Sequence, residues 1–124
     1  IEQLQKELNL SMILISHNLS VIADTCDTTA IMYAGKIVEY ADVTTLFKKP
    51  LHPYSEKLIN AFPSIVGERR VLSSISGSPP DLLDPPPGCR FHPRCPYVTQ
   101  KCKENEPELI QASSQHWVAC HLLG

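Results

Sequence analysis

Apolar positions at the front of the chain fall at helical spacing. Ile1, Leu4 and Leu8 lie at i, i+3 and i+7, while Glu2 and Lys6 stand one turn apart with favourable polarity. Asn9 offers a C-cap, so a helix is predicted to end there. The stretch SMILIS follows, an apolar run without polar alternation, which is the pattern of a parallel strand covered on both faces. HNLSVIADTCD returns to helical spacing, with Leu19, Ile22, Ala23 and Cys26 on one side. TTAIMYAGKIVEY predicts two short strands about Ala34 and Gly35, a hairpin in which Gly35 takes a positive φ. Asp42 is placed to cap a short helix through Phe47; Lys48 and Lys49 suit its carboxyl end and Pro50 stops it. Pro53 opens a further helix at its first position, where its missing N–H costs nothing. On that helix Tyr54, Leu58 and Phe62 form a stripe, read as core and not as a cofactor site.

The pattern changes near Pro63. Of 11 prolines, nine lie from Pro63 onward and seven between Pro79 and Pro96. SGSPPDLLDPPPGCRFHPRCP has neither a helical nor a strand period, so polyproline or turn geometry is expected, held by something other than a regular core. The front half has the opposite difficulty. One doubly covered strand and one hairpin lack the neighbours that residues 12–15 require, and a unit of this size is marginal in burial. The front half is therefore expected to expose apolar surface and to self-associate. Because the chain opens in mid-pattern, it is expected to be the tail of a longer protein.

At 124 residues the chain has room for one domain or two very small ones. A formal net charge of −2 leaves no cationic excess for a polyanion, which excludes a nucleic-acid partner. No wholly apolar run, MILI at residues 12–15 included, approaches the roughly 20 residues a membrane-spanning helix needs.

Cysteines add candidate chemistry. Cys89, Cys95, Cys102 and Cys120 are spaced C-x5-C-x6-C-x17-C, while Cys26 stands apart and reads as a small buried hydrophobe. Four thiolates suit tetrahedral zinc or an iron–sulfur cluster. Zinc ribbons bring their ligands in tight C-x2-C pairs, which are absent here; the wider spacing favours a cluster, and two disulfides are the third reading. His92, His116 and His121 lie nearby and count as further candidate ligands, although surface positions are the commoner case. No phosphate loop, G-x-S-x-G, H-E-x-x-H or G-x-G-x-x-G motif occurs, and Gly35-Lys36 lacks the glycine before it and the hydroxyl after it. Ser16 and His17 are adjacent, so on a strand end they would point to opposite faces, which argues against a nucleophile–base pair.

The span from SMILISHNLSVIAD through HPYSEKLINAFPS resembles the end of the nucleotide-binding subunit of dipeptide and oligopeptide ABC importers. GSPPDLLDPPPGCRFHPRCPYVTQKC, closed by HWVACHL, is similar to the carboxyl-terminal extension of that subfamily. The resemblance implies an α/β fold: the end of a P-loop ATPase domain over residues 1–62, then a loop-rich, cysteine-containing extension over residues 63–124. It implies that His17 is the switch histidine, a catalytic and nucleotide-contacting group that donates toward the γ-phosphate of ATP. It also implies that Cys89, Cys95, Cys102 and Cys120 are the ligands of a 4Fe–4S cluster. ATP and Mg2+ would be bound by the parent protein, whose phosphate loop, signature and Walker B residues would precede Ile1; the chain alone is then expected to lack ATPase activity. The implied partners are a second ATPase subunit, two transmembrane permease subunits and an extracytoplasmic peptide-binding protein, with the chain at the cytoplasmic face of the membrane. The competing reading is a self-standing cysteine-rich module that binds a partner or senses redox state without nucleotide.

Overall fold

The computed structural model describes residues 2–61 and 75–123. Ile1, Phe62 and the change of pattern at Pro63 therefore lie outside the described residues. The chain opens with α1 (Glu2–Leu8), and Asn9 follows at φ 50°, the left-handed geometry expected of a C-cap. Residues 10–17 then run without helix or strand. The strand expected of SMILIS does not form: Ile13 and Ile15 are 92% and 94% exposed. A strand forms only by pairing with a neighbour, and among the described residues this segment pairs with none.

α2 (Leu19–Thr25) is capped by Asn18, whose side chain accepts from Ser20 N at 3.0 Å and from Val21 N at 3.5 Å. It buries Ile22 only; Ala23 is exposed, and Leu19 and Cys26 are half-buried. β1 (Thr28–Tyr33) and β2 (Lys36–Asp42) form the expected hairpin, with Ala34 at φ 48° and Gly35 at φ 80°. Two successive positive φ values match the right-handed twist of the flanking strands. Asp42 caps α3 (Val43–Lys48) by accepting from Thr45 N at 2.9 Å, and hydrogen bonding from the Thr45 side chain and then its backbone holds the Asp42 carboxyl below the usual range. α4 (Pro53–Asn60) starts at Pro53, and the preceding His52 caps it through Nδ1, which accepts from Tyr54 N at 3.1 Å.

The back half is more regular than its sequence pattern predicts. α5 (Gln100–Glu104), β3 (Ile110–Ser113) and β4 (His116–Val118) form there, and the sheet order is β1-β2-β4-β3, antiparallel throughout. Strand β4 pairs with β2 in the register Glu39↔Val118, Tyr40↔Trp117, Ala41↔His116, so front and back share one sheet. The cross-strand pair Tyr40 and Trp117 brings its rings to 5.4 Å. Below this sheet Ile31, Tyr33, Val38, Ala41, Leu46 and Phe91 make the core, with Tyr54 and Leu58 packed partly against it, as the stripe predicted. Phe91 comes from the proline-rich loop. Its ring lies 5.1 Å from Tyr33 and 5.4 Å from Tyr54, so the loop is held by contributing an aromatic to the front half's core.

Candidate functional site

His17 ends the unpaired apolar segment, immediately before the cap of α2. It is exposed, and among the described residues no hydrogen bond holds its imidazole. Ser16 is occupied elsewhere, since its Oγ accepts from Asn18 N at 3.0 Å. His17 borders a cavity of about 710 Å³ walled by residues 12–15, by Thr28–Met32 of β1, and by Tyr54 and Leu58 of α4. The exposed imidazole thus borders an apolar recess, and among the described residues neither ring nitrogen is hydrogen-bonded.

The four back-half cysteines converge. Cys89 precedes the turn that carries Phe91, Cys95 caps the short helix His92–Arg94, Cys102 sits buried on α5, and Cys120 follows β4. Gly88 makes the approach of two of these stretches possible. At φ 68° it lies so close to the carbonyl of Cys102 that a Cβ would overlap it, and the neighbouring Cys89 N–H donates to that same carbonyl at 2.8 Å. Burial raises the thiol pKa of Cys89, Cys95 and Cys120, and each is raised further by other members of the set. A backbone N–H two residues on, that of Phe91, Tyr97 or Leu122, acts in the opposite direction on Cys89, Cys95 or Cys120 by donating to sulfur. Thr99 Oγ1 lies 3.2 Å from Cys102 Sγ. All five cysteines are free, so the disulfide reading has no counterpart in the structure. Among the described residues no group of three or more His, Cys, Asp or Glu is close enough to hold a metal ion, so neither the zinc nor the 4Fe–4S reading of Cys89, Cys95, Cys102 and Cys120 finds support in this arrangement.

Two arginines of the CRFHPRC loop fasten it to the hairpin. Arg90 donates to the carbonyl of Ala34 at the β1–β2 turn. Arg94 donates to Ser76 O at 3.0 Å, to Ile75 O at 3.1 Å and to Tyr33 Oη at 3.2 Å. The three back-half histidines serve the fold. His92 Nδ1 contacts Cys89 O at 2.9 Å, and His121 Nε2 contacts Asn105 O at 2.8 Å. His116, expected at the surface, is buried and meets the buried carboxylate of Glu39 at 2.7 Å. The pairing of a tail strand with β2 puts it there, and no periodicity in the sequence announced that pairing. Glu39, His116 and His52 were not singled out by chemistry-bearing spacing; a glutamate in an otherwise apolar strand, KIVEYA, was the available signal.

The family model described as "Oligopeptide/dipeptide transporter, C-terminal region" matches residues 38–102. The chain belongs to this family. The match takes in Glu39, the HPY segment at residues 52–54 and three of the four converging cysteines; His17, His116 and Cys120 lie outside it. Relatives extend the similarity over nearly the whole chain. A "Dipeptide transport ATP-binding protein DppD" of Caldanaerobacter subterraneus is 41% identical over 98% of this chain and 37% of its own length. An "Oligopeptide transport ATP-binding protein AppD" of Bacillus subtilis is 44% identical over 98% of this chain and 37% of its own length. The "Oligopeptide transport ATP-binding protein OppD" of Salmonella typhimurium is 41% identical over 97% of this chain and 36% of its own length. The chain thus spans little more than a third of these curated relatives. Similarity across both halves to transport ATP-binding proteins removes the support for a self-standing cysteine-rich module. No helix among the described residues is long and apolar enough to cross a membrane.

Proposed function

We propose that this chain is the carboxyl-terminal part of the ATPase subunit of a peptide-importing ABC transporter, with His17 as its one nucleotide-facing group. The observation that carries the reading is the position of His17, exposed, free of intrachain hydrogen bonds among the described residues, and at the lip of an apolar recess. An imidazole so held can donate toward charge that develops on a transferring phosphoryl group. Residues 1–62 would complete the ATPase body and residues 63–124 would form the extension. ATP is then the substrate, and Mg2+ and the phosphates would be held by residues outside this chain, which has no phosphate loop. A second ATPase subunit, two permease subunits and an extracytoplasmic peptide-binding protein are the partners, at the cytoplasmic membrane face.

The extension is proposed to hold a 4Fe–4S cluster through Cys89, Cys95, Cys102 and Cys120. Support comes from the donor chemistry alone: four free cysteines in the extension, with Cys89 tied to Cys102 by a backbone hydrogen bond of 2.8 Å. When bound, such a cluster would cross-link a proline-rich segment and could exchange one electron. The residues present do the positioning: Gly88 admits Cys89 to α5, and Arg90 and Arg94 anchor the loop that carries Cys89 and Cys95.

The test uses the full-length subunit assembled with its partners. His17→Ala should lower ATP turnover by about 10²-fold or more while ATP still binds; unchanged turnover would remove His17 from the chemistry. Anaerobic purification should give a brown protein with broad absorption in the blue, lost on substitution of any of the four cysteines by serine. A colourless protein carrying stoichiometric zinc would overturn the cluster assignment without touching the ATPase assignment.

A further inference from the structure

Glu39 is fully buried on β2, where an unpaired carboxylate would be costly. Three donors converge on it. Oε1 accepts from Leu51 N at 2.7 Å and from His116 Nε2 at 2.7 Å, and Oε2 accepts from His52 N at 3.0 Å. Two of these donors are backbone amides at the entry to α4, and the third is the side chain that opens β4. His52, itself 1% exposed, closes the first turn of α4 through the bond from Tyr54 N to its Nδ1. One carboxylate therefore serves as shared acceptor for two elements that are far apart in sequence, in the front and the back of the chain. The other titratable groups that face this cluster are Asp42, toward His116, and Cys120, toward Glu39.

We propose that Glu39 is a clasp that makes the docking of α4 and of the tail strand β4 one cooperative event, so that the tail holds the Tyr54–Leu58 wall of the His17 cavity in place. Removal of His116 leaves a buried carboxylate one donor short, and the least costly relief is to let water in at the entry of α4. The cost falls on α4 although the substitution lies in the tail, because the two share an acceptor. Hairpin β1–β2 and α3 have their own caps and ladder and are not part of the unit. The clasp stands whether or not His17 meets a nucleotide and whether or not the cysteines hold a cluster.

Hydrogen exchange on the full-length subunit reads this directly. In His116→Leu, amides of α4, such as Glu56, which donates to His52 O, should exchange about tenfold faster together with those of β4. The β1–β2 ladder and the α3 amides should keep their protection, and His116→Gln, which retains a donor, should recover part of the α4 protection. In the Glu39→Gln background the same His116→Leu change should cost α4 less than it does alone. Loss confined to β4 with α4 unchanged overturns the clasp, and so does a loss spread evenly over hairpin, α3 and α4. If His116→Leu does not fold, His116→Gln weakens the contact and is judged by the same comparison.

Discussion

The imidazole of His52 works as a neutral acceptor: its Nδ1 takes the N–H of Tyr54. Burial lowers its pKa to about 4 from an ordinary 6.5, with Glu39 opposing that shift. Protonation would place a charge in the interior and remove the acceptor from the first turn of α4. The direction of the pH effect follows. Above pH 6.5 both folded and unfolded chains hold His52 neutral, and its contribution is complete. As pH falls from 6.5 toward 4 the unfolded chain takes up a proton that the folded chain refuses, so stability is lost through that window. The total is on the order of 3 kcal/mol. Chemical denaturation across this range should show a shallower pH dependence in His52→Asn, which keeps a capping acceptor but does not titrate. Equal slopes for the two proteins would remove His52 from the acid sensitivity. Little of this was legible beforehand. HPY announces a helix start because Pro53 is a good first residue, yet nothing local reveals that the histidine before it is buried. That depends on Glu39 and on a strand that arrives from residue 116.

Elements governed by local rules were readable, and those governed by distant pairing were not. The hairpin turn, the Asp42 cap, the Pro50 stop and the Pro53 start each rest on a residue whose backbone preference acts within a few positions. β3 and β4 are short and follow polar stretches, so β4 takes its strand character from pairing with β2, and β3 from pairing with β4, rather than from their own pattern. The CRFHPRC loop is an intermediate case. Its prolines correctly signal irregular backbone, but its ordering comes from Phe91, Arg90 and Arg94 reaching into the front hairpin. α4 meets that loop through Tyr54, whose ring lies 4.6 Å from Tyr33 and 5.4 Å from Phe91. Tyr54→Ala should therefore cost about 2–4 kcal/mol, because it opens a gap between three elements that do not collapse independently. Tyr54→Phe should cost much less, since the ring supplies the contact. Urea unfolding of both variants separates the two outcomes. A Tyr54→Ala midpoint within the scatter of surface substitutions would mean that the loop, and not the helix, carries this part of the core.

The whole molecule has a well-knit side and a bare one. The cysteine loop, the β4 strand and α4 interlock around Phe91 and Glu39, whereas the segment before α2 exposes Ile13 and Ile15 almost completely. The apolar run states a preference for burial, but among the described residues it pairs with no strand, and β1 pairs there with β2 alone. Composition along a segment therefore indicates what it would bury, while the presence of partners decides whether it can. An apolar segment with unpaired amides and carbonyls next to an unoccupied strand edge is a template for a second chain. The chain expressed alone should accordingly self-associate in a concentration-dependent way, with light scattering or sedimentation as the measurement. Replacing Ile13 and Ile15 together by serine should shift it toward monomer, because both side chains are solvent-facing and their loss removes association without opening a cavity. Replacing Leu82 and Leu83, which are exposed on the opposite, proline-rich part of the chain, should leave the association unchanged. An equal shift from both pairs would mean that general hydrophobicity, and not this segment, drives the contact.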